Sequence, residues 1–134
     1  MVIKTEGFAT STGDAEDLAY VYCVDKSGYC LSLARCLDEE LVEVMVLDQR
    51  NHKTREIEVD LSNRELRVNL SRAAAAALDG ITQYSVPLNA SDKELQDLDA
   101  ALTVIFEGGR RGRYSKVKNR CQICFPRPPR RQRT

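Results

Sequence analysis

The chain has 134 residues, 43% apolar and 30% charged, enough for one globular domain with one core. No apolar run approaches the roughly 20 residues that cross a bilayer, and the N-terminal stretch lacks the apolar core of a signal peptide. The composition therefore excludes a membrane-spanning class and predicts a cytoplasmic protein whose five cysteines are thiols. The formal net charge of zero hides a sharp asymmetry. Residues 1–109 hold all 20 carboxylates and 10 of the 20 lysines and arginines, a net charge of −10. The other 10 bases lie between Arg110 and Arg133 with no acid among them. Two units are expected, an acidic domain over residues 1–109 and a basic Arg/Pro-rich tail over residues 110–134, with Gly108-Gly109 at the boundary.

In chain order, "LAYVYCV" (18–24) and "YCLSLARC" (29–36) read as strands, with "DKSG" as turn chemistry between them. A four-residue turn there sets Cys23 opposite Cys30. Core packing is the plain role for Cys23, Cys30 and Cys36. The next strand is "LVEVMVLD" (41–48), and a polar loop "QRNHKT" follows. "REIEVDL" (55–61) and "RELRVNL" (64–70) then pair as a hairpin. A two-residue loop at Ser62-Asn63 puts Val59 opposite Leu66 and Glu58 opposite Arg67, apolar residues on one face and opposite charges on the other.

After residue 70 the period changes. Ser71 suits an N-cap, the alanine run 73–77 is helical, and Gly80 can close the turn. "ITQYSVPL" (81–88) returns to strand, with Pro87 restricting it to an edge or an end. Ser91 with Glu94 forms a capping box, and Leu95, Leu98, Leu102, Ile105 and Phe106 make an apolar helical stripe. The fold class expected is α+β: an antiparallel meander with a short helix and a long C-terminal amphipathic helix on one face, plus a disordered basic tail.

Catalytic chemistry is sparse in this sequence. The single histidine, His52, sits in a polar loop, where a solvated side chain is the plain reading. There is no Gly-x-Ser-x-Gly elbow, no phosphate-binding glycine loop and no His-Glu-x-x-His, so neither a catalytic set nor a cofactor is expected. Cys121 and Cys124 form one Cys-x-x-Cys, two ligands where a structural zinc takes four. A thiol enzyme built on that pair is disfavoured, because redox pairs sit at a helix start that lowers one pKa. The tail can bind nucleic acid through charge, fold back on the acidic body, or be an extension without a function of its own, and an adaptor would use it to dock an acidic partner. Tyr114 and Phe125 give it little for base stacking. Asp38, Glu39, Glu40 and Glu43 form an acidic turn and strand start, read either as a solvated turn or as a rim that meets a basic partner. Exposed polar loops are where interactions concentrate, so Gln49, Arg50 and His52 join these four as candidate partner contacts.

The runs "YCLSLAR" (29–35), "VEVMVLDQ" (42–49), "REIEVDLSNRELRVNLSRAAAAALDG" (55–80) and "DKELQDLDAALTVIFEGG" (92–109) resemble the immunity protein 10 family of bacterial polymorphic-toxin systems. The likeness covers roughly Tyr29 to Gly109, and the basic segment after Gly109 lies outside it. The resemblance implies a non-catalytic protein that binds a cognate toxin domain and blocks it. A small nucleic-acid-binding protein acting through residues 110–134 is the alternative.

Overall fold

The computed structural model describes residues 1–14, 17–47, 50–107 and 112–116. Among the described residues, nine strands and two helices follow one another: β1 (Thr5–Thr12), β2 (Leu18–Asp25), β3 (Cys30–Cys36), β4 (Val42–Val46), β5 (Arg50–Thr54), β6 (Ile57–Ser62), β7 (Glu65–Leu70), α1 (Arg72–Ala76), β8 (Gln83–Pro87), α2 (Asp92–Ile105) and β9 (Arg113–Lys116). Strands β1 to β5 form a five-stranded antiparallel sheet in sequence order. The second sheet has the order β8-β7-β6-β9, with β9 parallel to β6. The chain passes between the sheets in two residues after Thr54, whose hydroxyl accepts from the Glu56 amide at 2.8 Å.

The expected single meander closed by a long C-terminal amphipathic helix is thereby corrected. The protein is sheet-rich, its strands divide between two sheets, and the second sheet is mixed. The 14-residue α2 lies between β8 and β9, so a strand and not a helix is the last described element. Three strands escaped the sequence reading because none alternates cleanly. β1 is "TEGFATST", β5 is "RNHKT" and β9 is "RYSK". The last also corrects the expectation of disorder from residue 110, since Arg113–Lys116 pairs with β6. The Cys-x-x-Cys pair lies outside the described residues.

Two registers differ by one turn position from expectation. The β6–β7 loop is Asn63-Arg64, with φ of 50° and 58°, so Ser62 faces Glu65, Val59 faces Val68, and Arg67 lies opposite Asp60 instead of Glu58. Both loop residues take the positive φ that a two-residue hairpin turn requires. Between β2 and β3 the Asp25 amide donates to the Tyr29 carbonyl at 3.0 Å, leaving a three-residue loop. Cys30 therefore opposes Val24, and Cys23 opposes Leu31.

One core joins both sheets and α2. The alternate residues Ala19, Val21 and Cys23 of β2, Leu31 and Leu33 of β3, and Val42, Val44 and Val46 of β4 face inward. They meet Leu98, Ala101, Leu102 and Ile105 of α2 and the buried sides of β6 to β8. The capping box opens α2: the Ser91 hydroxyl accepts from the Glu94 amide at 3.1 Å, and the Ser91 amide donates to the Glu94 carboxylate at 2.9 Å. No helix among the described residues is long and apolar enough to cross a membrane.

Candidate functional site: an acidic end of the five-stranded sheet

In an antiparallel meander alternate turns lie at the same end of the sheet. The β1–β2 turn and the β3–β4 turn are such a pair. They are joined directly, since the Leu37 amide donates to the Asp17 carbonyl at 2.9 Å. Gly13 lets them close, because a Cβ on it would lie 3.0 Å from Leu37 Cδ1 and its φ is +90°. The described residues of the two turns carry Asp14, Asp17, Asp38, Glu39 and Glu40 and no basic side chain. All except the half-buried Glu39 are exposed. Glu43 stands next to them on the solvent side of β4.

The neighbouring strand trims this charge at one flank. The Lys53 ammonium reaches Glu39 at 3.0 Å, and the Asn51 amide donates to the Glu43 carboxylate at 2.8 Å. The hydrogen bond that Lys53 donates to the Glu39 carboxylate holds Lys53 above its ordinary pKa. Such an exposed pair adds little stability. Asp38 and Glu40 remain open toward solvent, so the end stays negative.

The turn is held from beneath by a buried cation. Arg35, 3% exposed, sits at an inward position of β3 beyond Leu31 and Leu33. Its Nη1 donates to the carbonyls of Leu37 at 3.1 Å and Glu39 at 2.9 Å, with a longer contact to Cys36. Its Nε and Nη2 donate to the carbonyls of Ile105 at 2.9 Å and Val104 at 2.8 Å. These belong to the last turn of α2, where carbonyls run short of helical partners and a positive charge is favoured, although the Val104 carbonyl also accepts from the Glu107 amide at 3.3 Å. One guanidinium thus shapes the acidic turn and fastens it to the helix. Lysine has neither the planar fork nor the reach for this.

Of the residues singled out in the sequence, Asp38, Glu39, Glu40 and Glu43 come together here. Arg50 and His52 do not. They lie in β5, which corrects their placement in a loop, and they share the inward phase of their partners Val46 and Val44. Arg50 donates to the Leu78 carbonyl at 3.1 Å, after α1. Gln49 lies outside the described residues. Sequence reasoning missed Asp14 and Asp17 because β1 was not recognised, and it missed Arg35. The signal for Arg35 was present: a lone arginine in the apolar phase of "CLSLAR".

A second polar cluster stands apart. Asp79 accepts from the hydroxyls of Tyr29 and Tyr84, the latter at 2.9 Å, and the two hydroxyls lie 3.0 Å apart. Burial and the carboxylate push the Tyr84 phenol up to about 12, and Tyr29 is raised in the same way. Every polar group in this cluster has a partner, which suits a structural brace between the sheets. Among the described residues no three of His, Cys, Asp and Glu converge where a metal could be held.

Comparison with known proteins adds no relative: no family model, no curated protein and no solved structure matches this chain.

Proposed function

We propose that this chain is a non-catalytic immunity protein that binds and neutralises a cognate bacterial toxin domain through the acidic end of its five-stranded sheet. The observation that carries this reading is the union of two acidic turns into one patch, fixed from below by the buried Arg35. A rigid patch of one sign is suited to meeting a basic surface, because charge complementarity raises the encounter rate and a fixed geometry avoids the entropy of ordering on contact. Toxins that act on nucleic acids present basic surfaces around their active sites. The resemblance of residues 29–109 to the immunity protein 10 family supports the same reading. Its place of action is the cytoplasm of the producing cell, where such a toxin reaches nucleic acid.

The alternative, nucleic-acid binding through residues 110–134, is weakened by where the segment begins. Arg113 pairs with Glu58 at 2.9 Å and Lys116 lies 3.5 Å from Asp99, so these two bases face the body's own carboxylates.

The test is coexpression of the full chain with the C-terminal domain of the polypeptide encoded directly upstream. The expected result is rescue of growth and co-purification of the two as one complex. Continued killing, with no complex, overturns the proposal.

A further inference from the structure

The strand β2, paired on both edges by β1 and β3, is apolar on both faces. Its inward residues Ala19, Val21 and Cys23 are buried in the core. Its outward residues are Leu18, Tyr20, Tyr22 and Val24, all half-buried and none of them packed against that core. A strand that is apolar on both sides belongs in a sheet covered on both sides. Among the described residues, α2 and the second sheet pack against the inner face.

The outward face can be followed row by row through the register. Ser11, Tyr20, Ala34, Glu43 and Lys53 form one row across the five strands. Ala9, Tyr22, Ser32, Met45 and Asn51 form the next. Small residues on both sides of each tyrosine leave the rings standing above the sheet. The row through Tyr20 runs into Glu43 and so into the acidic end.

The tyrosines divide into two kinds. The chain has five. Tyr29 and Tyr84 bond Asp79, and Tyr114 bonds Asp99 at 2.6 Å. The hydroxyls of Tyr20 and Tyr22 have no hydrogen-bond partner among the described residues. A rigid aromatic body with an unused hydroxyl is the side chain most suited to the centre of a protein interface.

Resting on the proposed function, we infer that the partner domain docks across the outward face of the five-stranded sheet, with Tyr20 and Tyr22 at the centre of the contact and the acidic end at its rim. The occupant is a folded domain that is basic where it meets Asp38, Glu40 and Glu43 and apolar where it meets the tyrosines. The acidic end sets the rate of encounter, and the tyrosines set the lifetime of the complex.

The experiment uses the full chain and the upstream-encoded C-terminal domain as probe, with association and dissociation rates measured separately. Changing both Tyr20→Ala and Tyr22→Ala is expected to speed dissociation at least tenfold and to leave the association rate within about threefold, since hot-spot losses act on the off-rate. Ser32→Arg, which places a long charged side chain between Tyr22 and Met45, is expected to do the same if the double variant fails to fold by circular dichroism. Nitration of the free chain is expected at Tyr20 and Tyr22 before the three bonded tyrosines, and the complex is expected to shield both. Binding by the unaltered chain that survives these changes with unaltered lifetime overturns the inference while leaving the proposed function standing. Absence of binding by the unaltered chain overturns both. A tyrosine-dependent dimer of the free chain in sedimentation assigns the face to a second copy and overturns the inference. So does shielding of both tyrosines in the free chain that is lifted by salt, which assigns the face to the chain's own basic segment.

Discussion

The Nε of Arg35 lies 2.9 Å from the carbonyl oxygen of Ile105, so the end of α2 and the turn after β3 hang on one buried guanidinium. Removing it strands carbonyls from both elements without a donor. Arg35→Met is expected to destabilise the fold by about 3 kcal/mol, the scale of losing charge-assisted hydrogen bonds in a buried site. Arg35→Lys is expected to recover less than half of that. Urea unfolding at equilibrium measures both. A lysine variant as stable as the parent would contradict the role given to the planar fork.

The strand β9 depends on Gly112. That residue has φ of +98°, and a Cβ on it would lie 2.6 Å from both Cγ2 and the carbonyl oxygen of Ile57. Gly112→Ala is therefore expected to pull β9 from β6. The stack of Tyr114 on Phe106, with ring centres 6.4 Å apart, and the Tyr114 bond to Asp99 would go with it. A loss of roughly 1–3 kcal/mol is expected from the strained conformation and broken contacts. Hydrogen exchange at residues 113–116 reports the detachment directly. Retained protection would show that the strand tolerates the substitution.

The start of α2 gives a smaller effect. Ser91→Ala removes the hydroxyl that accepts from the Glu94 amide and should lower stability by about 1 kcal/mol. Ser91→Asp should restore most of it, because a carboxylate caps as well and favours the positive end of the helix. Thermal melting of the two variants side by side distinguishes capping from a general loss of side-chain contact.

Stability at high pH follows from the buried phenols. Tyr84 titrates near pH 10 in the unfolded chain and is pushed up to about 12 in the fold by burial and by the Asp79 carboxylate. The fold favours the neutral phenol. Its contribution is fully present below pH about 10 and is lost as pH rises through about 12. Tyr29, raised in the same direction beside the same carboxylate, adds to the loss. Urea midpoints taken from pH 9 upward, with approximate steps of one unit, should fall more steeply for the parent than for Tyr84→Phe. Equal slopes would remove Tyr84 from this role.

Some of this was legible in the sequence and some was not, for reasons that individual residues show. The β6–β7 pair was readable because its apolar residues share one parity. Moving the turn from Ser62-Asn63 to Asn63-Arg64 shifts the pairing by two and keeps Val59 and Val68 on the same face. Parity fixes the face but not the turn, which depends on which two residues take positive φ. β5 was unreadable because "RNHKT" has one buried side chain, Thr54, and owes its strand state to pairing with β4. The division into two sheets was equally hidden, since no local pattern marks the two-residue passage after Thr54 as a change of sheet. Four of the six carboxylates of the acidic end were visible as Asp38, Glu39, Glu40 and Glu43. Asp14 and Asp17 join it only through the long-range contact of Asp17 with Leu37.

The most direct test of the acidic end is the association rate of the full chain with the upstream-encoded domain, for the parent and for the pair Asp38→Lys and Glu40→Lys. Both side chains are exposed, so folding should be unaffected. The parent should associate fast at about 50 mM salt and slow markedly at about 500 mM, where charges are screened within a few ångströms. The charge-reversed variant should associate at least tenfold more slowly at low salt and converge on the parent at high salt. Equal rates for the two proteins at both salt concentrations would contradict the claim that this end of the sheet meets the partner.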